Sequence, residues 1–114
     1  MTFEMVVQLP VTGAFGTDEE FDLRTQLERD FNAALAAANM GESGRGETDD
    51  GRMSVYLEAV TDPDAALRIV KDVLARHKLL HRAMVLLDAR CEADSDDIER
   101  RVLWPLQSVA VRVA

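Results

Sequence analysis

The two histidines of the chain have a spacing that could do chemistry. His77 and His81 are four residues apart, and on one face of a helix this spacing would bring two imidazoles together as ligands for a metal ion such as zinc. The helix that carries His77 is expected to end near Lys78, however, and no third ligand is close in the sequence. His77 instead continues the apolar stripe of that helix, near the C-terminal end where a cation is favourable. We therefore predict no metal site at this pair.

A glycine-rich segment and the loop before the first helix are candidate ligand cradles. The glycines within Gly41–Gly51 are spaced GxxGxG and follow a predicted helix, whereas the dinucleotide-binding fingerprint follows a strand. The loop Pro10–Thr17 could present free N–H groups at a helix start. The positive end of that helix is already occupied by Asp18, Glu19 and Glu20. Phosphate is therefore disfavoured, and a carboxylate or a neutral ligand stays open as an alternative.

The acidic residues do not match a known catalytic or calcium-binding pattern. In a calcium loop that began at Asp94, position six would be glycine and position twelve glutamate, but these positions hold Glu99 and Pro105. Asp49 and Asp50 are adjacent in a predicted exposed turn, which lacks the burial that separates the pKa values of a catalytic carboxyl pair. No serine or cysteine has a base beside it in the sequence. We therefore predict no catalytic residues, no cofactor and no bound metal.

Size and charge limit the classes of function. The chain has 114 residues and a net charge of −8, which predicts one domain, 1–114, and opposes contact with nucleic acid. Its single cysteine, Cys91, cannot form an internal disulfide and suits a reducing compartment. The segment Met1–Gln8 lacks the pattern of a signal peptide, and no run reaches the ~18 apolar residues of a membrane span. We expect a cytoplasmic protein that does not contact a membrane.

The first half of the chain predicts a strand followed by a long helix. An alternation of period two over Phe3–Leu9 is typical of a strand. Thr17 and Glu20 match a capping box, so the first helix is expected to begin here and to end at Asn39 or Gly41. The stripe expected to be buried consists of Leu23, Leu27, Phe31, Ala34, Leu35 and Ala38.

A hairpin is predicted after this helix. Asp50-Gly51 is a strong signal for a two-residue hairpin turn. It would join a short edge strand at about residues 42–47 to a strand at Arg52–Val60. The charged and glycine-rich composition of the edge strand would discourage pairing with other chains.

A second helix and a fourth strand complete the pattern. Thr61–Asp64 combines a capping side chain, a proline for the first turn and an acid at the positive helix end. The helix is expected to run to about Lys78. After a tight turn, the apolar run Ala83–Leu87 predicts a strand that is buried on at least part of both faces.

The order of strands and helices predicts an α+β fold. Right-handed crossovers would place the first and third strands at the centre and both helices on one face. Over Thr2–Ala89 this layout resembles ferredoxin-like domains, which implies a two-layer sandwich with a four-stranded antiparallel sheet. The core would be about residues 2–89, followed by a C-terminal extension, 90–114. In the extension we expect a short helix at Asp94–Arg101, stopped by Pro105, and a final strand at Ser108–Val113.

Two further resemblances involve individual motifs. Gly13 and Gly16 in the first loop are similar to the glycine-containing loop of ACT-type regulatory domains, which implies a ligand loop at a dimer interface. The glycine-rich hairpin Gly41–Gly51, Asp62-Pro63 and Trp104-Pro105 resemble small bacterial proteins of uncharacterised activity. That resemblance implies no particular activity.

In a two-layer fold, one face of the sheet has no helix on it, and this face is the predicted interaction surface. An apolar patch on it would favour a partner. The candidate interface residues are Val6, Gln8, Tyr56, Glu58, Val85, Leu87 and Trp104. The pattern leaves open whether Val85 and Leu87 or their neighbours lie on this face. For Trp104, a role as a core plug is an open alternative to a role as an interface anchor.

Three functions are compatible with these patterns. The first is a non-enzymatic assembly module that forms a homodimer through the helix-free face, since two-fold pairing buries a self-complementary surface. The second is an acidic inhibitor or immunity-type protein that binds a basic partner through Asp88–Glu99 or through the first helix turn. The third is a ligand sensor or enzyme with a pocket between the loop Pro10–Thr17 and the 41–51 hairpin.

Overall fold

A computed structural model describes residues 3–90 and 98–105. The described chain forms one antiparallel sheet with the strand order β2-β3-β1-β4-β5. The elements in chain order are β1 (Phe3–Pro10), α1 (Asp18–Ala37), β2 (Glu42–Asp49), β3 (Arg52–Val60), α2 (Pro63–Arg76), a short 3₁₀ turn (Leu80–Arg82), β4 (Met84–Arg90) and β5 (Ile98–Trp104). The predicted α+β class is confirmed, but within the described residues the sheet has five strands, one more than the four of the ferredoxin-like core.

Both helices begin at the predicted caps. The Thr17 hydroxyl accepts a hydrogen bond from the Glu20 N–H at 3.1 Å, and the Glu20 carboxylate accepts one from the Thr17 N–H at 2.9 Å. Asp62 caps α2 by accepting a hydrogen bond from the Ala65 N–H at 3.2 Å. Asn39, which follows the C-cap residue Ala38 of α1, has the left-handed conformation expected of a helix stop, with φ 56°.

The core lies between the helices and one face of the sheet. Met5 and Val7 of β1 belong to the same buried cluster as Phe31 of α1 and Val70 of α2. Alternate residues of a strand point to the same face, so both helices cover one face of the sheet. The opposite face, which we call the helix-free face, carries the remaining side chains of the strands.

The Asp-Gly hairpin forms as predicted, and its first strand is longer than expected. Asp50 and Gly51 have φ values of 55° and 79°, the positive values that a tight hairpin turn requires. β2 runs to Asp49, two residues beyond the predicted end. A side chain at Gly46 would collide with the carboxylate of Glu28. The Arg24 side chain lies near the same point, so β2 packs against side chains of α1 here.

The orientation of β4 corrects part of the predicted interface. Val85 and Leu87 pair with Val7 and Met5 of β1, and both belong to the core beneath the helices. Leu86 pairs with Val6 and lies on the helix-free face instead. The candidate interface residues Val85 and Leu87 therefore do not lie on the helix-free face, and the alternative that their neighbours lie there is the one found. The run is apolar at every position, so alternation alone could not decide which side faces the helices.

The C-terminal part also differs from its prediction. Residues 98–101 lie in β5, which pairs with β4, and not in a helix. Pairing with the exposed edge of β4 satisfies backbone groups that a short isolated helix would have left to water, and it overrides the local helix signal. Residues 94–97 and the predicted strand Ser108–Val113 lie outside the described residues, as does Cys91.

Candidate interaction surface

The apolar centre of the helix-free face is already buried within the chain. Val6 lies between Tyr56 of β3 and Leu86 of β4. Val6 has no exposed surface, and Leu86 is only 6% exposed. Gln8, Tyr56 and Glu58 are half-buried on the same face. The predicted apolar patch is therefore covered at Val6 and Leu86, while Met84 and Val102 on the same face are partly exposed.

A polar groove of about 300 Å³ lies on the helix-free face near the hairpin turn. Within it, the Tyr56 hydroxyl donates to a Glu47 carboxylate oxygen at 2.9 Å, and the Gln8 amide donates to the Ser54 hydroxyl at 3.4 Å. The lining residues are Gln8, Glu47, Asp49, Asp50, Arg52, Ser54 and Tyr56. Among the described residues, neither a histidine nor a lysine lines the groove as a general base for Ser54.

The described side chains form no metal centre. No three His, Cys, Asp or Glu side chains among residues 3–90 and 98–105 are placed to hold a metal ion together. His77, one of the two histidines considered above, instead contacts Asp30 of α1, with 2.7 Å between Nε2 and a carboxylate oxygen. This histidine therefore connects the two helices.

Glu20 holds the loop between β1 and α1 in a fixed conformation. Its carboxylate accepts hydrogen bonds from the Thr12 N–H at 3.0 Å and from the Thr17 N–H at 2.9 Å, and a weaker one from the Thr12 hydroxyl at 3.3 Å. These bonds, with those from the Thr12 and Thr17 backbone as the largest causes, lower the pKa of Glu20 below its ordinary value. The loop is thereby closed onto the first turn of α1.

The same loop is tied to the hairpin turn on its other side. The Val11 N–H donates to the Gly51 carbonyl oxygen at 2.9 Å, and the Gly51 N–H donates to the Ala14 carbonyl oxygen at 2.9 Å. Residues 11–17, the first turn of α1 and the turn at Asp50-Gly51 therefore form one end of the molecule. We call it the acidic end, because Asp18, Glu19, Asp22, Asp49 and Asp50 are all exposed there.

Two phenylalanines at the acidic end are exposed. Phe15, in the loop, is 72% exposed, and Phe21, in the first turn of α1, is 55% exposed. They are the large hydrophobic side chains with the highest exposure in the described part of the chain. The Arg24 guanidinium lies 4.9 Å from the centre of the Phe21 ring, a cation–π contact.

The predicted interface residue Trp104 lies on the helix side of the sheet. Its indole N–H donates to the Leu80 carbonyl oxygen at 3.1 Å, and the Lys71 ammonium of α2 lies 4.1 Å from its ring centre. The ring packs against the core cluster. This position favours the core-plug alternative and separates Trp104 from Val6, Gln8, Tyr56 and Glu58.

The sequence analysis did not identify Phe15 and Phe21 as exposed, although the position of each in the sequence indicates that it lies outside the core. Phe21 precedes the apolar stripe that begins at Leu23 and does not share its spacing, so it points away from the core. Phe15 lies in a loop that is otherwise small and polar, between Gly13 and Gly16. A single exposed apolar side chain is ordinary, but two such rings at the same end of the molecule, among polar residues, are a candidate contact with another molecule.

No protein-family model, curated protein or solved structure that was compared with the chain matches it. Neither of the two described helices is both long enough and apolar enough to cross a membrane.

Proposed function

We propose that the protein is a non-enzymatic interaction module that binds a basic partner protein through its acidic end. The observation that supports this proposal is the set of backbone hydrogen bonds between the loop and Gly51. They bring the exposed carboxylates of the α1 first turn and of the hairpin turn to one end of the molecule. This surface includes the first helix turn that the sequence suggested for a basic partner.

The charge at this end is only partly compensated by neighbouring cations. Arg24, beside Phe21 at this end, is already paired, since its guanidinium donates to the Thr48 hydroxyl at 2.9 Å and lies 3.4 Å from the Glu28 carboxylate. Arg52 is exposed beside the hairpin turn, and Arg82 is exposed next to Arg52 and Pro10. These two cations oppose five exposed carboxylates. A surface of one dominant sign accelerates encounter with a partner of the opposite sign and makes binding sensitive to salt.

A charge-reversal experiment tests this proposal. A synthetic peptide rich in lysine and arginine is titrated into the protein, and amide resonances are followed by NMR. The double variant Glu19→Lys/Asp49→Lys changes one acid of each group. The matched control, Glu42→Lys/Asp72→Lys, makes the same change in net charge at exposed sites away from the acidic end.

The proposal expects peptide-induced shifts at residues 11–22 and 49–51 and binding at least about tenfold weaker in the acidic-end variant. The control should retain its affinity, and raising the salt from about 0.05 M to about 0.5 M should weaken wild-type binding. Equal losses in both variants would show that only net charge matters, and the proposal would fail.

We also draw two inferences beyond the interaction surface. The first is that strands β1 to β4 and the two helices form a ferredoxin-like fold. The second is that the protein acts in the cytoplasm. The order β2-β3-β1-β4 supports the first inference, because it is the order expected of two split βαβ units. The lone Cys91 supports the second.

A homodimer through the helix-free face is a second candidate, supported by the accessible Tyr56. Glu47 and Glu58 on the same face would approach their own copies, so we rank it below a basic partner. A dimer in solution that the Tyr56→Lys variant dissociates would reverse this ranking.

A further inference from the structure

We infer that Phe15 and Phe21 are the apolar anchors of the acidic end and insert into an apolar pocket, rimmed by lysine or arginine, on the partner protein. The inference rests on the proposed function, and it names the residues that would dominate the affinity. Aromatic side chains at the centre of an interface, surrounded by polar contacts, are typical of binding hot spots.

These rings lie outside the hydrophobic core of the chain. Phe31, on the same helix as Phe21, is completely buried, whereas Phe21 is 55% exposed. Phe15 is 72% exposed, so most of its ring contacts water. An apolar ring in water is unfavourable, and burying it against another molecule removes that disadvantage.

The loop that carries Phe15 is held in place before any partner binds. The Glu20 carboxylate binds the N–H groups of Thr12 and Thr17, on either side of Phe15 in the sequence. The Gly16 N–H also donates to the Thr12 carbonyl oxygen at 3.0 Å, which closes the loop on itself. An aromatic side chain on a fixed loop loses little conformational entropy when it binds, so more of its contact energy appears as affinity.

The acidic residues around Phe15 and Phe21 favour a basic protein as the molecule that binds these rings. Asp18, Glu19 and Asp22 are exposed beside Phe21 and would meet the same carboxylates on a second copy of the chain. A membrane surface with anionic headgroups would be repelled for the same reason. The contact between Arg24 and the Phe21 ring shows that a guanidinium fits against this aromatic surface, and an arginine of a partner could stack on Phe15 in the same way.

The experiment begins with short peptides that are selected on the wild-type protein from a phage-displayed random library. Their dissociation constants are then measured with four purified variants, Phe15→Ala, Phe21→Ala, Glu19→Lys/Asp49→Lys and Met84→Ser. The last is a control that removes a partly exposed apolar side chain from the helix-free face. Circular dichroism and thermal unfolding confirm that each variant is folded, which is expected because both rings are exposed.

The inference expects selected peptides that combine basic and apolar residues and that lose at least about tenfold in affinity with either phenylalanine variant, but not with Met84→Ser. Phe15→Tyr should largely restore binding. A loss with the charge-reversal variant alone would overturn the anchor role and leave the proposed function standing. Peptides that are affected only by Met84→Ser, or the absence of any selected peptide, would overturn both.

Two further measurements distinguish the other occupants. Sedimentation over a range of concentrations compares the wild-type protein with Phe15→Ala. We expect the two proteins to show the same degree of self-association. Flotation with neutral phosphatidylcholine vesicles should show no binding that depends on Phe15. Either effect would assign the rings to a second copy or to a lipid surface and would overturn the inference.

Discussion

Glu20 is a single residue on which both the helix start and the adjoining loop depend. Its carboxylate accepts hydrogen bonds from Thr12 and Thr17, and its own N–H completes the capping box with the Thr17 hydroxyl. A charged acceptor at this place also interacts favourably with the positive end of α1. The side chain therefore determines how Phe15 is presented.

We expect Glu20→Gln to lower the free energy of unfolding at neutral pH, with an effect that depends on pH. The pKa of Glu20 is lowered in the folded protein, so the carboxylate stabilises the fold above the pKa of the unfolded chain. This contribution is lost as the pH falls through the folded-state pKa. Urea unfolding between about pH 7 and about pH 3 should show the difference between wild type and variant narrowing as the pH falls.

The matched control for this prediction is Glu19→Gln, which removes the same charge from the same helix turn without contacting the loop. It should leave the stability close to that of the wild type. A Glu20→Gln difference that stays constant down to the lowest pH would contradict a role for the ionised carboxylate.

Ala59 has a backbone conformation that favours glycine. Its φ is 55°, within β3, where the pairing with β1 shifts register between Phe3 and Met5. A left-handed conformation costs a residue with a Cβ roughly 1–2 kcal/mol. Substitution by glycine removes this cost, but the greater freedom of glycine in the unfolded chain offsets part of the stabilisation. Ala59→Gly should therefore raise the free energy of unfolding by about 0.5–1 kcal/mol.

Chemical denaturation checks the prediction for Ala59, with a second alanine-to-glycine substitution elsewhere in the chain as the comparison. Ala33 is exposed within α1, and Ala33→Gly should lower stability by about 1 kcal/mol, because glycine is unfavourable in a helix. Opposite signs for the two variants are expected. If Ala59→Gly destabilises as much as Ala33→Gly does, the strain assigned to Ala59 is absent.

At the scale of whole elements, α1 and α2 are connected by one polar contact above the core. His77 Nε2 and an Asp30 carboxylate oxygen are 2.7 Å apart, and both side chains are only partly exposed. We expect Asp30→Ala to lower the free energy of unfolding by about 1 kcal/mol, the typical value for one hydrogen bond. A double-mutant cycle with His77→Ala would isolate the interaction.

The pair Asp72 and Arg76 on α2 provides the comparison for this contact. It is 3.9 Å apart and largely exposed, so Asp72→Ala should change stability by no more than about 0.5 kcal/mol. A coupling energy near zero for Asp30 and His77 would mean that the helices are held by apolar packing alone.

The elements with local signals were predictable from the sequence, and those determined by distant contacts were not. Thr17 with Glu20, Asp62-Pro63 and Asp50-Gly51 each specify a cap or a turn within a few residues, and all three formed. β5 was missed, because its pairing with β4 outweighs the local helix pattern of residues 98–101. The face of β4 could not be decided for the same reason, since only the register with β1 determines which of its residues lie under the helices.

The candidate site was less predictable than the fold. A surface is defined by how segments meet, and the sequence does not state that Val11 and Gly51 are joined by a hydrogen bond. Acids in the first helix turn were visible, but their proximity to the hairpin turn was not. The exposure of Phe15 follows from the loop conformation that Glu20 imposes, which depends on contacts across the loop.

For the molecule as a whole, β5 extends the sheet beyond the four strands expected from the sequence. Its last residue, Trp104, packs against the core and donates a hydrogen bond to Leu80, which follows α2. The ammonium of Lys71 covers the ring. These contacts link β5 to α2 and to the core, so β5 should unfold together with both.

Trp104 is the only tryptophan, so its fluorescence reports on β5, whereas far-ultraviolet circular dichroism is dominated by α1 and α2. We expect both signals to give the same urea midpoint, since two-state unfolding makes different probes coincide. Leu35→Ala, in the buried part of α1, should lower both midpoints together, because it removes about 2–5 kcal/mol of core stability. If the fluorescence changed at lower urea than the circular dichroism, β5 would be a separately melting addition, and the sheet would behave as the four strands that the sequence predicted.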